Sequence, residues 1–189
     1  GWSNPGNAYT SNNVYSTSNI ITGSSVDFNG FGYSIPAGST IDGIEVAIEG
    51  QTAGPQPSVA ISPDGSNFTA PRSISYSGED STNRFGGPTD KWGRVWTVAG
   101  INTTFTVRVT APLSGLSAGF SIDQLQVKVH YTAPALTVTI NQAAAQADPT
   151  SFSPINFTVV FNHTVADFTS ADVTLSGTAG ATTAVVTGS

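Results

Sequence analysis

Apolar and polar residues alternate with period two along most of this chain. Ile44, Val46 and Ile48 alternate with Glu45 and Glu49, and Phe105, Val107 and Val109 with Thr106 and Arg108. Leu125, Val127, Val129 and Tyr131 alternate with Gln126, Lys128 and His130, and Ile155, Phe157, Val159 and Phe161 follow the same rule. Successive side chains of a strand point to opposite faces, so each run reads as a strand with one buried face. Gly, Pro, Asn or Asp bound every run, as strand ends require. No stretch holds the i, i+3, i+4, i+7 apolar spacing long enough for a helix, and the Ala-rich residues 143–147 stop at Asp148-Pro149. The pattern predicts an all-β, antiparallel protein with two sheets face to face and no helix.

Turn chemistry refines this. In "SVAISPDGSNF", Val59 and Ile61 lead in, Pro63-Asp64-Gly65 turns the chain and Phe68 leads out, which predicts a hairpin. "FGYSIPAGSTI" reads as a strand that ends in a Pro-Ala-Gly turn. The clearest seam is Tyr131-Thr132-Ala133-Pro134-Ala135. All six Lys and Arg lie before it with nine acids, and only three acids and no base follow. Two β-sandwich domains in tandem are expected: residues 1–132, jelly-roll-like, then a Pro linker at 133–135 and a second domain at 136–189. The second offers four expected strands, 136–140, 154–161, 172–176 and 184–187. An immunoglobulin-like sandwich has about seven. It is therefore expected to be an incomplete Ig-like domain, covered by further chain or by strands of a neighbouring molecule.

Composition narrows the function classes. Charged residues are 10% of the chain and the net charge is −6, against about 25% charged in ordinary soluble domains. Solubility must rest on Ser, Thr, Asn, Gln and Gly, which suits an exported protein. The basic stripe that neutralises phosphates in nucleic-acid binders is missing. There is no cysteine, which excludes disulfides, thiolate metal sites and a cysteine nucleophile. No apolar run approaches the roughly 18 residues of a membrane span.

The second segment resembles the bacterial Ig-like repeats of very large surface proteins and adhesins. The resemblance is carried by "LTVTINQAAAQADPT" and "SPINFTVVFNHTVADFTSADVTLSGTAG", with Phe161, Val165, Phe168-Thr169 and Asp172-Val173 in the family's order. Many relatives carry an acidic residue and Pro before that Val, where this chain has His163-Thr164. The resemblance implies a spacer that holds a functional tip away from a surface. Residues 1–132 more loosely resemble a β-sandwich module of bacterial surface and phage virion proteins, through "WSNPGNAY", "GFGYSIPAGSTIDGIEV", "FGGPTDKWGRVWT", "INTTFTVRV" and "IDQLQVKVHYT". That resemblance implies display or attachment and supplies no site residues.

Three groups of residues are candidates for chemistry. The loop "FGGPTDKWGRVW", residues 85–96, carries Asp90, Lys91 and Arg94 for a polar ligand, with Trp92 and Trp96 as platforms for sugar rings. The competing reading is a structural crossover, with the indoles covering the sandwich end and Gly86, Gly87 and Gly93 supplying backbone freedom. The second group is an internal echo, "IDGIEVAI" and "IDQLQVKV", in which Asp42 and Asp123 share strand parity with the apolar residues that follow. A carboxylate on a buried face needs a partner, either calcium at the sandwich rim or backbone N–H groups at a strand entry. Asp148, Asp167 and Asp172 form the third group, calcium ligands or plain surface acids in a segment with no base.

No Gly-x-Ser-x-Gly elbow, phosphate-binding Gly loop or histidine metal spacing is present, and Asp90 has no second acid tied to it by a motif. The expected protein is not an enzyme. It is a structural or attachment module of an extracellular, cell-surface or virion-surface protein, with the Ig-like part as spacer. One alternative is a self-assembling extracellular fibre subunit completed by strand donation; another is a carbohydrate-binding module using Trp92 and Trp96. The expected partners are other copies of the chain or downstream domains, and surface glycans for the carbohydrate reading. Calcium is the one cofactor these residues suggest.

Overall fold

The structure, a computed structural model, describes residues 2–18, 24–52, 56–76, 78–111 and 120–188. The chain divides into two compact units, Gly1–Pro134 and Ala135–Ser189. Among the described residues no helix is long and apolar enough to cross a membrane.

The first unit contains β1 (Trp2–Ser3), β2 (Ser16–Ser18), β3 (Ser25–Phe28), β4 (Thr40–Thr52), β5 (Ser58–Ser62), β6 (Arg72–Ser73), β7 (Ser81–Gly86), α1 (Val98–Thr103), β8 (Thr106–Thr110) and β9 (Phe120–Thr132). They form a five-stranded sheet in the order β1-β2-β9-β4-β7 and a four-stranded sheet in the order β3-β8-β5-β6. Every pairing is antiparallel. Period-two alternation turns Ile44, Val46, Ile48 and Leu125 of the first sheet inward. Val59, Ile61, Val107 and Val109 of the second meet them in one buried cluster. Each such side chain contributes roughly 1.5–3 kcal/mol by leaving water, which is why the alternating runs dictate where the sheets lie.

The echo noted in the sequence pairs with itself. β4 and β9 are ladder partners, with Ile44 opposite Val129, Val46 opposite Val127 and Ile48 opposite Leu125. The ladder is interrupted twice. Ile41 pairs with Tyr131 and Gly43 with His130, and Glu49 pairs with Gln124 and Gly50 with Ile122. Asp42 and Asp123 are thus the extra residues of two β-bulges, one near the start of each strand. A bulge inserts one residue and re-aims the side chains beside it. This corrects the parity expected of Asp42. Ile41 and Ile44 are both buried, whereas Asp42 is only half-buried and accepts a hydrogen bond from Thr132 Oγ1 at 2.7 Å.

The "PDG" turn joins β5 to β6. Asp64 accepts bonds from the Ser66 and Asn67 backbone N–H groups, both at 2.8 Å. It also takes the Asn67 side-chain amide at 2.7 Å. Two expectations fail. Residues 31–35 are not a strand: their place in a ladder is taken by the Asn102 side chain, which donates to Ile35 O and accepts from Ile35 N. Residues 98–103 are a short helix where none was expected, started by Thr97, whose hydroxyl accepts the Gly100 N–H. A single turn is too short to leave a periodic apolar signature.

In the second unit β10 (Val138–Gln142) pairs with β11 (Phe157–Phe161), antiparallel. The other two expected strands do not form. Asp172 instead closes a capping box with Thr169 on a one-turn 3-10 helix, Ser170–Asp172, and residues 184–187 join no ladder. The register sets Val138 opposite Phe161 and Ile140 opposite Val159. Val138, Ile140 and Phe157 stay about half or more exposed, at 48%, 62% and 61%. Phe161 meets Phe168 edge-on, with ring centroids 5.1 Å apart.

Candidate functional site

β7 ends on Gly86 because no side chain fits there. A Cβ on Gly86 would lie 2.0 Å from Ile44 O and 2.6 Å from the Trp92 indole nitrogen, and its φ is +77°. This close approach lets Gly87 N donate to Ile44 O at 3.2 Å and Ile44 N donate to Asp90 O at 3.0 Å. Trp92 adds its indole N–H to the same Ile44 carbonyl at 2.9 Å. Asp90 accepts the Trp92 backbone N–H at 2.8 Å and a two-pronged grip from Arg72 at 2.7 and 3.0 Å. The Arg72 guanidinium holds the Asp90 carboxyl below its ordinary range, with the Trp92 N–H assisting. It also lies 3.9 Å from the centre of the Trp92 ring.

Trp96 is held in the same way. Its indole N–H donates to Lys91 O at 2.8 Å, Arg94 lies over its ring, and Phe105 meets it edge-on. Trp92 and Trp96 are only 5% and 6% exposed, so neither offers a free platform for a sugar ring. Asp90, Trp92, Arg94 and Trp96 do come together. They form a clamp that fastens the β7 end of the five-stranded sheet to β6 and to the loop before α1. Lys91 stands exposed beside it.

A second constellation gathers from distant parts of the chain. Carboxylate oxygens of Glu49 on β4, Asp80 before β7 and Asp123 in the β9 bulge lie within 4.8 Å of one another. Asp123 is 1% exposed, and both its oxygens share one donor, the Asn12 N–H, at 3.2 Å. Asp80 accepts the Tyr15 hydroxyl at 2.9 Å. That bond, with the surrounding negative charge, raises the Tyr15 phenol above its ordinary value. Oxygens bound to one calcium at 2.3–2.6 Å fall within this mutual spacing, so these three residues could hold a divalent cation.

Of the five acids singled out as calcium ligands, only Asp123 belongs to this group. Asp42 binds Thr132, Asp172 caps its 3-10 turn, and Asp148 and Asp167 are exposed. Hydrogen bonds from the Thr169 backbone and hydroxyl lower the Asp172 carboxyl. Glu49 and Asp80 were not singled out: Glu49 appears in the sequence only as a polar position on an alternating strand, and Asp80 carries no motif. No signal in the sequence joins them to Asp123.

No protein-family model matches the chain, and no curated protein or solved structure is detectably similar to it.

Proposed function

We propose that this chain is a non-catalytic structural and attachment module of an extracellular or virion surface protein, with residues 136–189 as an Ig-like spacer. The observation that carries the reading is the use made of its scarce charge. Arg72, Arg84 and Arg108 pair with Asp90, Glu45 and Asp27, each tying one strand or loop to another. The loop richest in chemistry is a clamp around two buried indoles. The set of acids gathered among the described residues includes a carboxylate at 1% exposure, out of reach of a substrate bond that two carboxylates would have to flank. Immunogold labelling of intact cells and virions with an antibody to residues 2–132 tests the proposal. Surface label is expected; label confined to the cytosol refutes it.

The second reading is self-assembly by strand donation, with calcium as an optional stiffener at the acidic set. It is favoured by the β10–β11 pair. Both outer edges of that two-stranded sheet are unpaired among the described residues, and Val138, Ile140 and Phe157 stand open beside them. An exposed edge of this kind accepts another strand through its main chain. Sedimentation at rising concentration separates the readings, because only strand donation yields polymers that Ile140→Lys dissolves.

A further inference from the structure

We propose that the outer face of the five-stranded sheet binds a carboxylate-bearing saccharide in a cleft between Arg84, Glu45, Gln126, Lys128 and Phe31. The inference rests on the attachment reading and supplies the class of ligand it leaves open. Side chains that alternate away from the core make this face: Glu45, Ala47 and Glu49 on β4, Gln124, Gln126 and Lys128 on β9, and Arg84 on β7. A cleft of about 360 Å³ opens on it, running from Arg84 past Glu45 and Ala47 to Gln126 and Lys128, with Phe31 also on its lining.

The chemistry of the lining selects the ligand. The Lys128 ammonium, on a strand whose backbone pairs with β4, is exposed and makes no hydrogen bond or ion pair among the described residues. Arg84 is 63% exposed on its side chain and uses one terminal nitrogen for Glu45, at 2.8 Å, which leaves other guanidinium N–H groups to donate. Two cations therefore face one carboxylate here, in a chain whose net charge is −6. An anionic group is drawn to such a pair of cations. Gln126 offers both a donor and an acceptor, and Glu45 an acceptor, for neighbouring hydroxyls. Phe31, stacked at 5.9 Å on Tyr33, gives the lining an apolar edge suited to the C–H face of a pyranose.

A polyacidic peptide fits less well. It would bring further charges against Glu45 and against Glu49, four residues further along the same face of β4, whereas a ring with many hydroxyls and one carboxylate satisfies the acceptor and the donors together. Nucleic acid, with a charge on every residue, meets the same repulsion.

The test uses the whole chain, ¹⁵N-labelled, titrated to millimolar concentration with a galactotriose bearing one galacturonate residue, with neutral galactotriose, and with a hexaglutamate peptide. The monouronate is expected to shift amide resonances of β4, β7 and β9 around the cleft and to saturate. Galactotriose, which lacks the carboxylate, should bind at least about tenfold more weakly, the worth of one charge-assisted contact, and hexaglutamate more weakly than the monouronate. Lys128→Glu and Lys128→Gln should each weaken monouronate binding by about the same factor. Lys128→Gln leaves the fold intact because the ammonium makes no ion pair, which an unchanged melting temperature verifies; Lys128→Glu, set opposite Glu45, is read beside it because like charges across a ladder lower stability. Lys91→Glu, an exposed cation outside the cleft, should change nothing. The inference is overturned by no saturable shift at the cleft, by equal binding of galactotriose, by stronger binding of hexaglutamate, or by full binding to Lys128→Glu. A failure here with surface label intact removes the saccharide and leaves the attachment module standing.

Discussion

Gly86→Ala isolates the contact on which the clamp depends. Two costs add. A residue other than glycine at φ +77° pays roughly 1–2 kcal/mol for the left-handed conformation. The new Cβ would also sit 2.0 Å from Ile44 O and 2.6 Å from the Trp92 indole nitrogen, so the loop must withdraw from β4. Withdrawal breaks the Gly87 and Trp92 bonds to that carbonyl, each worth about 1–3 kcal/mol when a buried partner is left unmatched. The sum is about 3–8 kcal/mol, a large share of the 5–15 kcal/mol that holds a domain together.

Gly30→Ala is the control. Its φ is +72°, but nothing lies within 4 Å of the new methyl, so only the conformational cost of about 1–2 kcal/mol applies. Urea unfolding followed by tryptophan fluorescence measures both, and it reports on the first unit alone because Trp2, Trp92 and Trp96 all lie there. Gly86→Ala should lose at least about 2 kcal/mol more than Gly30→Ala. Equal losses would mean that the β7 loop does not press on β4, and the clamp would be wrong.

Ile44→Ala, at a position with 0% exposure facing the second sheet, should cost about 2–5 kcal/mol in the same assay; a loss under about 1 kcal/mol would deny it a place in a packed core. The Asp64 carboxyl is held well below the usual carboxylate range, first by the Asn67 backbone N–H and then by the Asn67 side chain and Ser66. Its folded pKa is depressed, so its contribution is present above the unfolded pKa and fades as pH falls below about 4. Asp64→Asn should flatten the fall of melting temperature on that acid limb and leave its slope near neutral pH unchanged; an identical acid limb would refute the turn's role. The open faces of Val138, Ile140 and Phe157 should bind an apolar dye such as ANS, and Ile140→Lys with Phe157→Lys should abolish the signal. Dye binding that survives the double substitution would place the exposed apolar surface elsewhere.

Alternation alone located β4, β8, β9 and β11, because period-two burial is written directly into the order of residues. Turn chemistry located the β5–β6 connection, since Asp64 finds its partners within three positions. The absence of Lys and Arg after Lys128 marked a change of character near Pro134 without any contact being known. Each of these properties is local, decided by neighbours along the chain.

Pairing decided the rest. Asp42 and Asp123 share their parity with apolar neighbours in the sequence, yet two bulges separate their fates, and a bulge exists only relative to a partner strand. Glu49, Asp80 and Asp123 meet because β4 lies between β7 and β9, an order that no residue spells out. Trp92 and Trp96 read equally well as platforms or as plugs until the backbone of Ile44 and Lys91 comes within reach of their N–H groups. Residues 172–176 and 184–187 have strand-like composition but join no ladder; Asp172 caps a 3-10 turn and the Val186 N–H donates to the Ser170 hydroxyl instead. Local preference thus determined which segments are extended and which faces are apolar, while hydrogen-bond register and long-range packing determined which polar groups ended up together.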